Sequence, residues 1–200
     1  KVSFPAEFHA QTAVEAAFEL HSDVASRLED IEEIVITTQE SALRIIDKTG
    51  PLNNPADRDH CIQYMTAIGL LKGSLTAEDY EDEMAIDPRV DQLRDKMVVK
   101  HHQRFTDDYL DSDKRSIANA VQVRFKDGSM TENVTVEYPI GHRRRRDDSK
   151  PLLLNKFRSN VATQLDPAAV ERLVGLFTDQ RALESMAIDE LMDLLVPSDD

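Results

Sequence analysis

Ile117-Ala-Asn-Ala-Val121-Gln-Val123-Arg-Phe125-Lys-Asp-Gly-Ser129-Met-Thr-Glu-Asn-Val134-Thr-Val136-Glu-Tyr138 is the stretch whose reading decides the fold. From Ile117 the apolar residues recur every second position, the period of a half-buried strand. Val121, Val123 and Phe125 share one face, and Val134, Val136 and Tyr138 share the answering one. Between them Lys126-Asp127-Gly128-Ser129 supplies an Asp-Gly turn. A β-hairpin is therefore predicted here, and the segments upstream are mostly helical.

Working outward, Ile34 to Thr38 is short and β-branched and reads as a strand, and Met97 to Lys100 as another that joins the same small sheet. His9 to Leu28 carries Ala13, Ala17, Leu20, Val24 and Leu28 at helical steps. Ser41 to Lys48 reads as a brief helix stopped by Gly50-Pro51. Asn54 is an N-cap with Pro55 at the first helical position, opening a helix predicted to run to Leu71 and end before Gly73. Thr76 and Asp87-Pro88 cap two short helices, Ala77 to Tyr80 and Arg89 to Lys96. Helices leading into such a sheet predict an α+β fold with a small mixed sheet. After His142 the pattern turns polar, then helical over Leu152–Gln164, Ala168–Gln180 and Ile188–Leu195. A boundary is placed near residue 145, giving an α+β domain over 1–145 and helices over 146–200.

The 200 residues carry a formal net charge of −14, which argues against nucleic-acid or anionic-membrane binding by the surface as a whole. No apolar run is long enough to cross a bilayer. The single cysteine, Cys61, leaves no intrachain disulfide and no three- or four-thiolate iron–sulfur cluster on this polypeptide. His101-His102 lacks acidic neighbours at metal-site spacing, so no metal is expected. Neither a phosphate loop nor a nucleophile elbow is present.

Three clusters carry the candidate chemistry. Lys1-Val-Ser-Phe-Pro-Ala-Glu7-Phe-His9-Ala-Gln11 reads as the interior of a longer protein at the edge of a polar site. Pro5 favours extended backbone before it, and extended geometry would point Glu7, His9 and Gln11 one way. A carboxylate beside an imidazole can orient it for proton transfer. The plain alternative is a solvated terminus. Second, Asn53 to Tyr64 places Asp57, Cys61 and Tyr64 on one helical stripe. This suits either a capped amphipathic helix with a buried tyrosine, or Asn53 and Arg58 gripping a carboxylate while Tyr64 donates a proton. Third, Gly141-His142-Arg143-Arg144-Arg145-Arg146 follows a strand. Basic runs are commonly solvated loops, but guanidinium forks suit carboxylates, and Arg143 with His142 is expected to face a cleft.

Phe4-Pro-Ala-Glu-Phe-His-Ala-Gln-Thr-Ala-Val-Glu-Ala16 resembles the start of the second half of the MmgE/PrpD family. Gly50 to Tyr64, Arg115-Ser-Ile-Ala-Asn-Ala120 and Glu137-Tyr-Pro-Ile-Gly-His142 with its arginines agree in the same order. The resemblance implies loss of water from a tricarboxylate of the 2-methylcitrate kind in propionate catabolism, with no cofactor. It places Lys1, Glu7 and His9 on the cleft wall and suggests that Glu7 belongs to dehydration, since related cis-aconitate decarboxylases replace it. Carboxylate binding would fall to Lys1, Gln11, Asn53, Arg58 and Arg143, and proton handling to His9, Tyr64, His142 and Glu7. Residues 146–200 would complete an N-terminal helical domain absent from this chain. The resemblance further implies a homodimer in the cytoplasm, or in the mitochondrial matrix of a eukaryote, and no activity from this piece alone. The alternatives are another enzyme of the family, such as a decarboxylase or an epimerase, and a non-catalytic protein-interaction module.

Overall fold

Val121, Val123 and Phe125 point inward from β3 (Asn119–Phe125), beside Ile31, Ile34 and Ile36 of β1 (Ile31–Thr38). The computed structural model describes residues 2–197 of the chain. β1 pairs antiparallel with β3 on one side and parallel with β2 (Met97–His101) on the other; β3 also pairs with β4 (Val134–Val136), so the sheet runs β2-β1-β3-β4. The fold is α+β with a mixed sheet, as the hairpin predicted.

The hairpin departs from its expectation in one respect. The Asp-Gly turn forms, with the Phe125 amide donating to Ser129 O at 2.9 Å, but β4 begins only at Val134. Thr131 fills the gap: its amide donates to Val123 O at 2.9 Å, and its hydroxyl accepts from the Val123 amide at 3.0 Å. A side chain thus supplies one rung of the ladder, and Tyr138 lies beyond the strand. β1 also starts three residues earlier than predicted. The acidic pair that hid its start is matched by Arg124 on β3, 3.0 Å from Glu32 and 3.4 Å from Glu33.

A 3-10 turn, Phe8–Ala10, leads into α1 (Gln11–Val24), which packs on β3 and β4 and on α4 (Ile62–Lys72). The two helices approach closely at Gly69, where an added Cβ would stand 2.8 Å from the Ala17 Cβ. α4 ends on Gly73, whose φ of +67° suits the left-handed cap. Connecting elements are α2 (Glu40–Ile45), α3 (Pro55–Asp59), the 3-10 turn Ala77–Tyr80, α5 (Asp82–Ala85) and α6 (Pro88–Arg94). Between β2 and β3 lies α7 (Gln103–Leu110), a helix with no side-chain cap to announce it.

The long helix expected from Pro55 to Leu71 is two helices, broken at His60 and Cys61. The Asn54 cap forms as predicted, accepting from the Asp57 amide at 2.9 Å. The break follows from burial: α4 is enclosed along almost its whole length, and its start is pinned where the Ile62 amide donates to Ile46 O at 2.8 Å. The stripe joining Asp57, Cys61 and Tyr64 therefore does not exist.

Residues Ser3–Arg145 form one compact unit, and a second begins at Arg146. The second contains α8 (Arg146–Val161), α9 (Pro167–Thr178), α10 (Gln180–Ser185) and α11 (Ile188–Asp193). α9 is capped by Asp166, and Phe157 of α8 meets Phe177 edge-on at 5.2 Å. α8 begins well before the predicted Leu152, with Pro151 inside it.

Candidate active site

Glu7 caps the 3-10 turn that opens α1, and this capping builds the site. One carboxylate oxygen accepts from the His9 amide at 2.7 Å; the other lies 3.0 Å from His9 Nδ1. The backbone therefore turns where extended chain was expected, and residues two apart no longer face one way. Gln11 shows the consequence: it is buried, and its amide donates to Ala6 O at 2.6 Å, so it holds the turn. His9 is itself only 8% exposed. Its Nε2 lies 3.3 Å from the Tyr109 hydroxyl at the end of α7, and its carbonyl accepts from Asn119 Nδ2 at 2.8 Å. Burial raises the Glu7 carboxyl, but the hydrogen bond and charge of His9, with a smaller contribution from His60, outweigh it and hold Glu7 below the usual carboxylate range.

A second wall is built from the loop after β4. Glu15 on α1 is buried; one oxygen accepts from the Ile140 amide at 2.8 Å and the other from Arg145 at 2.6 Å. Arg145 also donates to Tyr138 O at 2.6 Å. Arg143 and Arg144 converge on the Asp113 carbonyl, Arg144 at 3.0 Å, and Arg144 lies over the Tyr138 ring. His142 packs on Tyr138 with ring centroids 4.7 Å apart and accepts from the Arg144 amide at 3.2 Å. Burial, then the charges of Arg143 and Arg144, lower the His142 imidazole from its usual range, against a weaker backbone bond to Arg115.

The segment 111–119 ties these walls together. Ile117 O accepts from Thr12, Asn119 Nδ2 donates to Thr12 Oγ1 at 2.7 Å, and the Ile117 amide donates to Glu137 O at 3.0 Å. Arg115 within it adopts a φ of +50°, the one positive value outside glycine among the described residues. The segments that carry His9 and His142 are thus linked through this stretch of backbone.

The stretch around Tyr64 is arranged differently. Tyr64 is 2% exposed, stacks on Tyr80, and donates its proton to Asp79 O at 2.6 Å. Burial pushes its hydroxyl up to about 12, with Arg58 opposing and Asp79 adding. In this structure its proton is directed to a backbone carbonyl and not to a side chain. Arg58, with a side chain only 5% exposed, donates to Tyr80 O at 2.6 Å and to Asp82 at 2.7 Å. Arg58, Tyr64 and Arg94 line a pocket of about 180 Å³, and the buried Nε atoms of both arginines lack hydrogen-bond partners among the described residues. Asn53 is exposed, with its amide donating to Asp57 at 3.1 Å, and this segment reaches Glu7 through the charge of His60. Lys1 lies outside the described residues.

Tyr109, Glu15 and Asn119 were missed from sequence. Phe105 and Tyr109, four apart, marked one face of α7, but no local signal links Tyr109 to an imidazole a hundred residues away. Among the described residues no group of histidine, cysteine or acidic side chains is arranged to hold a metal ion, and no helix is long and apolar enough to cross a membrane.

A model of the MmgE/PrpD C-terminal domain matches residues 4–193. The chain is 54% identical over 98% of its length to 2-methylcitrate dehydratase of Salmonella typhimurium, of which it covers 41%. It is 52% identical to the Cupriavidus necator protein of that name, over 97% of this chain and 41% of the relative. To the mitochondrial 2-methylcitrate dehydratase of Yarrowia lipolytica it is 50% identical, over all of this chain and 38% of the relative. The chain thus spans about 40% of the length of the curated relatives it matches.

Proposed function

We propose, since this chain belongs to the MmgE/PrpD family, that it is the C-terminal part of an enzyme that removes water from 2-methylcitrate to give 2-methyl-cis-aconitate. The observation that carries the reading is identity at about half of all positions, along nearly the whole chain, to proteins of that activity. The geometry supports it with a proton-handling group and a cationic wall tied together by one segment.

The elimination needs a base for the proton beside a carboxylate, an acid for the departing hydroxyl, and cations for the substrate's negative charge. His142, inclined toward its neutral form by burial and by Arg143 and Arg144, is assigned the base. His9, oriented by Glu7, is assigned proton delivery to the hydroxyl. Lys1, Asn53, Arg58 and Arg143 are assigned to the carboxylates. Arg94 joins Arg58, because both line the small pocket with unpaired Nε atoms. Gln11 and Tyr64 support these groups through backbone carbonyls.

The second unit is assigned to an N-terminal helical domain carried by the complete protein. Ile188, Met192 and Val196 stand 75%, 55% and 64% exposed there, apolar surface that such a domain would cover. A homodimer in the cytoplasm, or in the mitochondrial matrix of a eukaryote, completes the proposal.

The test is the complete protein with 2-methylcitrate, followed by the absorbance of the new alkene. Turnover supports the reading, whereas release of carbon dioxide from cis-aconitate with no turnover of 2-methylcitrate overturns it in favour of decarboxylation. This chain alone is expected to show no turnover.

A further inference from the structure

We infer that the proton path of this site ends at Tyr109, whose phenol, and not the His9 imidazole, meets the substrate. The inference rests on the elimination proposed above and identifies the group that delivers its proton.

His9 is too enclosed to reach a substrate unaided. Both Glu7 oxygens are bonded to it, one at the ring and one at the amide. Asn119 holds its carbonyl. The ring therefore has little freedom to turn. With Glu7 accepting at Nδ1, that nitrogen donates, and Nε2 has Tyr109 as its hydrogen-bond partner at 3.3 Å. In this arrangement the phenol oxygen is the protein group placed to exchange a proton with Nε2.

Tyr109 is built to serve as that end. It occupies the last turn of α7, whose Phe105 is buried against Ala118 and Ala120, so its position is set by a helix. The chain beyond it is fastened back, with the Ser116 amide donating to Asp108 O at 3.2 Å and Lys114 reaching Asp108 at 2.5 Å. Unlike His9, the tyrosine is only half-buried. Phe8, with its ring 5.5 Å from the imidazole, and Leu110, next to the tyrosine, stand 51% and 67% exposed. Both are exposed sequence neighbours of the two proton-handling residues.

As the carbon–oxygen bond breaks, its electron pair stays on oxygen, which takes the phenolic proton and leaves as water. The phenol oxygen takes the Nε2 proton of the imidazolium, leaving a neutral ring bonded to Glu7. The proton on carbon goes to the base, the part assigned to His142. His9 regains a proton from solvent by way of the Tyr109 phenol, and His142 gives its proton to solvent, which resets the site.

The experiment compares the complete wild-type protein with Tyr109→Phe, measuring kcat and KM for 2-methylcitrate and the solvent deuterium isotope effect on kcat. The expected result is a loss of about 100-fold in kcat, KM within about twofold, and a changed isotope effect. A packing role alone would leave the isotope effect as it was. If Tyr109→Phe does not fold, fluorotyrosine at position 109, which lowers the phenol pKa, must shift the pH profile of kcat. An active wild type with an unaltered variant overturns the relay and leaves the dehydratase reading standing. An inactive wild type overturns both.

Discussion

The Glu7–His9–Tyr109 cluster and the Arg58–Tyr64–Arg94 cluster draw on similar residue types and use them in opposite ways. In the first, each polar group is bonded to another side chain, and the series ends on a half-buried phenol. In the second, Tyr64 and Arg58 donate to the carbonyls of Asp79 and Tyr80 and so fasten a 3-10 turn to the core. What the second keeps in reserve is the Nε of two cations beside a small pocket. A group whose proton is held by a backbone carbonyl stabilises the fold, whereas one that ends a side-chain series can exchange its proton. The first cluster is thus suited to moving protons and the second to holding shape and charge.

The sharpest way to break this contrast is to remove the imidazole. His9→Gln in the complete protein is expected to lower kcat by roughly 100- to 10,000-fold. Its unfolding midpoint should barely move, because the glutamine amide can still bond Glu7. If the variant keeps its rate, the first cluster is structural after all.

Arg58→Met should differ by costing stability as well. It leaves the buried Tyr80 carbonyl without the charged donor that now satisfies it at 2.6 Å and removes the bond to Asp82. Two charge-assisted bonds predict a loss of about 3 kcal/mol in urea unfolding, with the exposed Asp82 end contributing least. A loss below about 1 kcal/mol would mean that the turn is held mainly by other contacts.

Tyr64→Phe asks the same question more gently. Deleting the hydroxyl removes one donor to Asp79 O and should cost about 1 kcal/mol, with kcat changed less than a few-fold. A large drop in kcat without loss of stability would return Tyr64 to the proton path.

The contrast also marks what could be read in letters. Alternation over Val121, Val123 and Phe125, the Asn54-Pro55 cap and Gly73 are local signals, and the elements they announce are present. The extended reading of Glu7 to Gln11 failed because Glu7 caps its own turn, a choice between two local geometries that composition leaves open. The stripe through Cys61 and Tyr64 failed because α4 is apolar almost all round, so no periodicity distinguishes its faces. Glu15, Asn119 and Tyr109 were silent because each acts on a group a hundred or more positions away. Read in letters the arginine run points first to Arg143, and only the partners Glu15, Tyr138 and Asp113 give places to Arg143, Arg144 and Arg145.

The smallest expected effect is a pH dependence that separates the wall of His142 from the core around Arg58. The folded state lowers the His142 pKa below its ordinary 6.5, so between the folded value and 6.5 the unfolded chain binds more protons. Stability must therefore rise with pH through that window and level off above it, and it falls as acid is added from neutrality. The Glu7 carboxyl, held below its ordinary 4.5, acts in the same direction at lower pH: its contribution is complete above 4.5 and is lost as pH falls through the folded value. His142→Asn should flatten the dependence just below pH 6.5 and leave the lower limb, whereas Glu7→Gln should do the reverse. Arg58→Met should shift the curve downward without changing its shape. If His142→Asn leaves the upper limb unchanged, the ring is not disfavoured in its charged form, and the basis for assigning it the base is gone.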